Sequence, residues 1–355
     1  MSIKYSLIFA SLLTGFAQQV RAQYPSEDTI KTINTNKIEL TKKPQLSADK
    51  LPYKISGIEV VCVVWDTAHM GYLRVGMEFA FQSYVPDRNM SSYLADYIDK
   101  AYSHLYTPDG VKLLWVVEDL RVAARGAGIM EKSYVRLKAT VYGSPDGMQY
   151  KRLNTVDDIK MSSGMLANFK HKTDIAEALN RLLLKSPETG ESFLTKASIV
   201  TRHIRKREIP ALMAAKLNDG VYMSFEEFRE NNPSIRTFEM EKHRRQLDVF
   251  KIMPDGKKES LISCWAIVKD GEAYRVVEDM FLPIEKQGYG YIFSDFIENR
   301  KRRKSFRRRG APVDGIAGSL ILSTAPFIVD TDNFRFLDPR PPATAIDMET
   351  GAFIF

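Results

Sequence analysis

Residues 134–142 alternate without a break: Val135, Leu137, Ala139 and Val141 are apolar, and Arg136, Lys138 and Thr140 stand between them. Successive side chains of an extended chain point to opposite faces, so this period of two predicts a strand with one face on a core. Pro145-Asp146-Gly147 then turns the chain, and residues 148–153 are expected to return as its hairpin partner.

The segments around this hairpin fill out one unit. Residues 58–65 are nearly continuous apolar, the pattern of a strand buried on both faces. Leu73, Val75, Met77, Phe79 and Phe81 alternate with Tyr72, Arg74, Gly76, Glu78 and Ala80, which predicts a single strand. The period then changes: Tyr93, Leu94, Tyr97, Ile98, Ala101 and Leu105 form a helical stripe opposite Asp96, Asp99 and Lys100. A strand follows over 112–122. Thr173 is placed to cap a helix whose Ile175, Ala176, Leu179, Leu182 and Leu183 face inward, with Pro187 beyond its end. The result is a β-β-α-β-β-β-α domain over 54–186, preceded by a polar, aperiodic linker at 23–53.

Residues 187–218 read as a connector, with a basic cluster at 202–207 and a turn or two of helix from Pro210. A second, smaller domain spans 219–299. Ser224-x-x-Glu227 has the form of a capping box, flanked by Met223 and Phe228 as a hydrophobic staple, and Asn231-Asn232-Pro233 stops the helix. Strands are expected at 246–253, 261–268, 273–282 and 289–296. Asp270-Gly271 is a two-residue hairpin turn that needs positive φ. The fold class is therefore α+β: two domains, each a mostly antiparallel sheet with one or two helices. At 44% hydrophobic and 27% charged residues the chain can bury such cores and is not disordered.

The N-terminus bears on compartment. Lys4, a short apolar stretch from Tyr5 to Ala17, and Val20-Arg21-Ala22 have the layout of a secretory signal peptide cleaved after Ala22. The apolar stretch falls short of the ~20 residues of a membrane span, and no Cys follows it to carry a lipid. The expected location is the periplasm or cell envelope. Removing Lys4 and Arg21 from the +7 chain leaves +5. Cys62 and Cys264 lie in apolar runs of different domains and are expected as buried free thiols rather than a disulfide.

Catalytic signals are weak. There is no G-x-S-x-G, P-loop or G-x-G-x-x-G, and no metal-ligand spacing, so no catalytic residue, metal or cofactor is assigned. His69, His104, His171, His203 and His243 fall in five segments and read as surface or capping histidines. Glu118-Asp119, Asp157-Asp158 and Glu278-Asp279 are adjacent pairs, and neighbours on a strand point to opposite faces, so these pairs are not expected to converge. The sharp feature is the run Arg300, Lys301, Arg302, Arg303, Lys304, Arg307, Arg308 and Arg309, eight basic residues in ten. It reads as a solvated, protease-sensitive loop or as a contact for an anionic surface, for which lipid or lipopolysaccharide phosphate fits an exported chain and export weighs against nucleic acid. The apolar run 315–329 behind it is too short to span a bilayer and reads as core or as an oligomer contact before an interfacial membrane segment.

Residues 219–228, Asp-Gly-Val-Tyr-Met-Ser-Phe-Glu-Glu-Phe, and 231–235, Asn-Asn-Pro-Ser-Ile, resemble a phrase found in uncharacterised exported proteins of Gram-negative bacteria. Trp265, Gly271 and Tyr274 match the hairpin that follows in those chains, residues 315–329 match an apolar segment, and Asp347, Thr350 and Gly351 match a terminal Asp-x-x-Thr-Gly. The resemblance covers 219–355 and implies an envelope location without an activity. The first domain is more weakly similar to periplasmic modules of envelope-assembly lipoproteins, which bind other envelope components. The expectation is an exported envelope binding or scaffold protein that meets an envelope protein or an anionic lipid surface. The rival is a secreted hydrolase with a site between the domains.

Overall fold

In a computed structural model of the chain, the described residues are 33–40, 46–75, 80–127, 130–164, 170–187, 192–297, 303–309 and 341–355. The leader expected at 1–22, the apolar run 315–329, and Arg300, Lys301 and Arg302 lie outside them. The structure is α+β, with two sheet-rich regions.

The first sheet takes strands β1 (Asn34–Ile38), β2 (Ile55–Cys62), β3 (Gly71–Val75), β4 (Ala80–Pro86), β5 (Val111–Ala127), β6 (Met130–Ser144), β7 (Gln149–Gly164) and β8 (Leu194–Thr195). Their order is β1-β4-β3-β5-β6-β7-β8, with β2 also beside β5. The alternation at 134–142 is the middle of a much longer meander, since β5, β6 and β7 run for 17, 15 and 16 residues. One face packs on helices α1 (Met90–Tyr102) and α2 (His171–Leu184). Leu94, Ile98, Ile175, Leu179, Leu182 and Leu183 close this core against Leu113, Trp115, Val135 and Leu137. Each such side chain contributes about 2 kcal/mol of burial.

β5 is the spine, and its free edge is shared. β2 runs parallel along its first half, Ile55 opposite Val111 to Cys62 opposite Val117, and β3 rejoins it at Leu73 opposite Ala124. Val63 N donates to Val117 O, Val122 N donates to Met70 O, and between these two bonds the chain leaves the edge. β5 carries a bulge at the same level: Val117 pairs with Ala139 and Asp119 with Lys138, so Glu118 is the extra residue. Gly71 makes the return possible. Its φ is +140°, and a Cβ there would lie 1.9 Å from Val122 O.

The second sheet is built from β9 (Gly220–Tyr222), β10 (Phe238–His243), β11 (Gln246–Ile252), β12 (Lys258–Ser260), β13 (Ala266–Lys269), β14 (Glu272–Val277), β15 (Met280–Gln287), β16 (Gly290–Phe293), β17 (Phe306–Arg307), β18 (Ala345–Ile346) and β19 (Phe353–Ile354). The order is β10-β11-β17-β15-β14-β13-β9, with β12 on β11 and β16, β18 and β19 following from β15. Three short helices, α3 (Lys196–Arg205), α4 (Pro210–Met213) and α5 (Phe225–Arg229), fill the junction and the rim. The two sheets share one core: Tyr72, Ala123 and Tyr134 of the first pack with Leu282, Ile284, Phe296 and Phe355 of the second region.

Several expectations are corrected. Residues 34–38, assigned to a polar linker, form β1, which pairs with β4 through its backbone and needs no apolar pattern. Residues 73–81 are not one strand. β3 and β4 form an antiparallel pair in which Leu73 stands opposite Gln82. β2 is only half-buried: Ile55 is buried, but the rest of the strand is intermediate, and among the described strands it pairs with β5 alone. α2 begins at His171, two residues before the expected cap. Of the strand read at 261–268 only 266–268 are extended, as the start of β13, because β12 ends at Ser260. Glu278, at φ +54°, and Asp279 turn what was read as one strand at 273–282 into the β14–β15 hairpin. A 3-10 turn at Ser294–Phe296 ends the strand read at 289–296. Ser224 caps α5, accepting from Glu227 N at 3.2 Å, but the Glu227 carboxylate reaches Met223 N rather than Ser224 N. Met223 is exposed, so no staple forms, and Phe228 packs on Trp265 instead. Asp270 and Gly271 both have positive φ, as their turn demands.

Candidate functional site

The polar positions of β6 point at the second region. Arg136 and Lys138 share the face of β6 opposite its core residues, and the β18–β19 hairpin comes down on them. Lys138 Nζ donates to Glu349 Oε2 at 2.9 Å, and Arg136 Nη2 lies 3.6 Å from Asp347 Oδ2. The hairpin tip is held rigid: Gly351 N donates to Asp347 O at 2.8 Å, Glu349 N to Asp347 Oδ1 at 2.8 Å, and Gly351 at φ +74° lies against the Phe225 ring. The terminal Asp-x-x-Thr-Gly is thus a docking hairpin.

β5 supplies two carboxylates from one place. Val117 and Leu120 both face the helical core, so Glu118 and Asp119 between them both face the other way. The bulge overturns the expectation that this adjacent pair diverges. Both residues are buried. Arg136 Nε lies 3.1 Å from Asp119 Oδ2 and its Nη2 lies 3.4 Å from Asp157 Oδ1, so one guanidinium serves three carboxylates. Burial dominates at Asp119 and pushes its carboxyl up to about 6.

Glu118 has the opposite balance. His203 Nδ1 of α3 lies 3.0 Å from Glu118 Oε1, and Lys206 Nζ donates to the same oxygen at 2.7 Å. Burial pushes Glu118 up, but the contacts of His203 and Lys206 outweigh it and hold the group at about 2. His203 is itself buried, its Nε2 3.0 Å from the Tyr142 hydroxyl. In the neutral ring, Nδ1–H faces the carboxylate and Nε2 accepts from Tyr142. With Trp65, Arg207 and Tyr289 these groups line a cleft of about 60 Å³, room for a few waters but far below the ~300 Å³ of a substrate pocket.

A second histidine cluster has the residue types of a hydrolase. Ser133 Oγ lies 2.8 Å from His171 Nδ1 and donates to Asp174 Oδ2 at 2.9 Å, and Ser162 Oγ donates to the same carboxylate oxygen at 2.6 Å. The proton arrangement is wrong for attack: the Ser133 proton goes to Asp174, so His171 donates to Ser133 rather than taking its proton. Ser133 and His171 are also fully buried, and burial drives the His171 ring down to about 4. His171 and His203 therefore correct the reading of surface histidines. Sequence could not place them, because burial of a histidine depends on which elements meet over it.

The basic run divides. Arg303 is a packing residue: its guanidinium lies over the Tyr274 ring at 5.0 Å and donates to the carbonyls of Ile284 and Ala273. Phe306 and Arg307 form β17, wedged between β11 and β15. Arg309 Nε lies 3.1 Å from Asp248 Oδ2. Lys304 is exposed and Arg308 half-exposed. Cys62 and Cys264 are free thiols, half-buried, each pushed up to about 11 by burial.

Among the described residues, Glu241, His243 and Asp248 are the group with metal-ligand spacing. Glu241 and Asp248 are cross-strand partners on one face of the β10–β11 hairpin. Lys258 holds Glu241 at 3.0 Å and Arg309 holds Asp248, so a divalent cation would have to displace two cations already in place. No described helix is long and apolar enough to cross a membrane. No protein-family model matches the chain, and no curated protein matches it.

Proposed function

We propose that the chain is an exported binding or scaffold protein of the cell envelope, with the charged cleft acting as the latch between its two sheets. The observation that carries this reading is the matching of charge inside the cleft. Glu118 meets His203 and Lys206, Asp119 meets Arg136, and Glu349 meets Lys138. A catalytic site keeps a nucleophile or base facing substrate. Here the groups are spent on one another, in a space too small for a substrate, which favours a structural role over the rival hydrolase. Export rests on the leader-like residues 1–22. The outer surface, including the basic run at 300–309, is left to meet an anionic surface or an envelope partner.

N-terminal sequencing of the native protein after cell fractionation tests the reading. The expected product begins at Gln23 and is recovered from the envelope or periplasm. A protein that begins at Met1 or Ser2 in the cytosol overturns it.

A further inference from the structure

The fold brings a second basic segment beside the first. β10 and β11 pair as a hairpin, His243 opposite Gln246, with Arg244 and Arg245 as the two turn residues. β17 runs parallel to the start of β11: Arg307 pairs with Gln246, and Arg307 N donates to Arg245 O at 2.7 Å. Residues separated by about sixty positions thus share one corner of the sheet. Arg244, Arg245 and Lys304 are exposed there, and Arg307 and Arg308 are half-exposed. The nearest acid on β11, Asp248, is matched by Arg309.

The turn itself is chosen against local preference. Arg244 has φ +51°, a left-handed conformation that favours Gly or Asn over a long side chain. The Arg-Arg turn exposes two guanidinium-bearing residues at the tip of the hairpin. Guanidinium pairs with phosphate in a bidentate fork.

We propose that Arg244 and Arg245, together with Lys304, Arg307 and Arg308, form one arginine-rich surface that docks on anionic phospholipid. The inference rests on the envelope reading above and gives its anionic surface an address that includes the β10–β11 turn. The phosphate layer of a lipid surface is continuous, which suits a broad patch with no pocket.

The full chain is tested by co-sedimentation with vesicles of phosphatidylglycerol and phosphatidylcholine, against vesicles of phosphatidylcholine alone. Each basic residue near such a surface is worth about fivefold in binding, so Arg244→Gln/Arg245→Gln should bind the anionic vesicles about thirtyfold more weakly, and added salt should weaken the wild type. Arg244→Asn/Arg245→Gln relieves the positive φ at the first turn position, where Asn is better tolerated than Arg. It should bind equally poorly with an unchanged or higher melting temperature, which separates charge from folding. Equal binding by wild type and both variants overturns the proposal, as does absence of wild-type binding to anionic vesicles, or tighter binding to a DNA duplex than to vesicles. A mature protein beginning at Gln23 that ignores anionic vesicles would sink the surface and leave export standing. Vesicle binding by a protein that keeps Met1 would do the reverse.

Discussion

Replacing Asp119 by Asn tests the electrostatics of the latch. Asp119 is 4% exposed and its carboxyl is raised from 3.8 to about 6. Between these values the folded protein holds a proton that the unfolded chain has lost. Stability therefore falls as pH rises through this window, and above it the protein carries the whole cost of a buried carboxylate. At about 1.4 kcal/mol per pH unit the cost is about 3 kcal/mol. Asn has the shape of the protonated acid and leaves Arg136 its contacts with Asp157 and Asp347. Asp119→Asn should be more stable than wild type by up to about 3 kcal/mol at pH 7.5, with the advantage gone near pH 4. Urea unfolding of both proteins from pH 4 to 7.5 measures this, and other titrations cancel in the difference. A gap that does not change with pH would refute the reasoning, and a loss of stability at pH 7.5 would mean that Arg136 needs the charge on Asp119 more than burial opposes it.

Three further outcomes follow from named contacts. His203→Ala removes one of the two basic groups that face Glu118 and the hydrogen bond between the ring and the Tyr142 hydroxyl, which should cost about 3 kcal/mol in denaturant unfolding; the loss should shrink when Glu118→Gln is added. Gly71→Ala drives a Cβ into Val122 O and should lower stability by about 3 kcal/mol or more, whereas Gly57→Ala, with nothing within 4 Å of its Cβ, should cost far less. Cys62 and Cys264, raised to about 11, should react slowly with a thiol reagent at pH 8 in the native protein and fast in urea.

What sequence made legible is what one segment decides alone. The alternation at 134–142, the stripe of α1 and the Asp270-Gly271 turn each follow from a local period or a local φ. The bulge at Glu118 does not, because it exists only in the register between β5 and β6. The same holds for the convergence of Glu118 and Asp119, which a plain strand forbids. β1 was hidden for a different reason: Asn-Thr-Asn-Lys-Ile joins the sheet by backbone bonds, with little burial to leave an apolar mark. The basic run announced its charge plainly. That two of its residues would be a strand inside a sheet depended on β11 and β15 leaving a gap of one strand between them.

That gap has a consequence for how the molecule comes apart. Among the described strands, the ribbon of β10, β11 and β12 joins the rest of its sheet's ladder only through β17. Two residues therefore act as a zipper tooth, and the most cationic stretch of the chain carries it. Whatever pulls those side chains outward tugs on the tooth, so the ribbon is positioned to loosen as a unit while the long meander of the first sheet stays shut. Amide exchange in Leu247 and Val249, faster than in Val135 and Leu137, would be its signature.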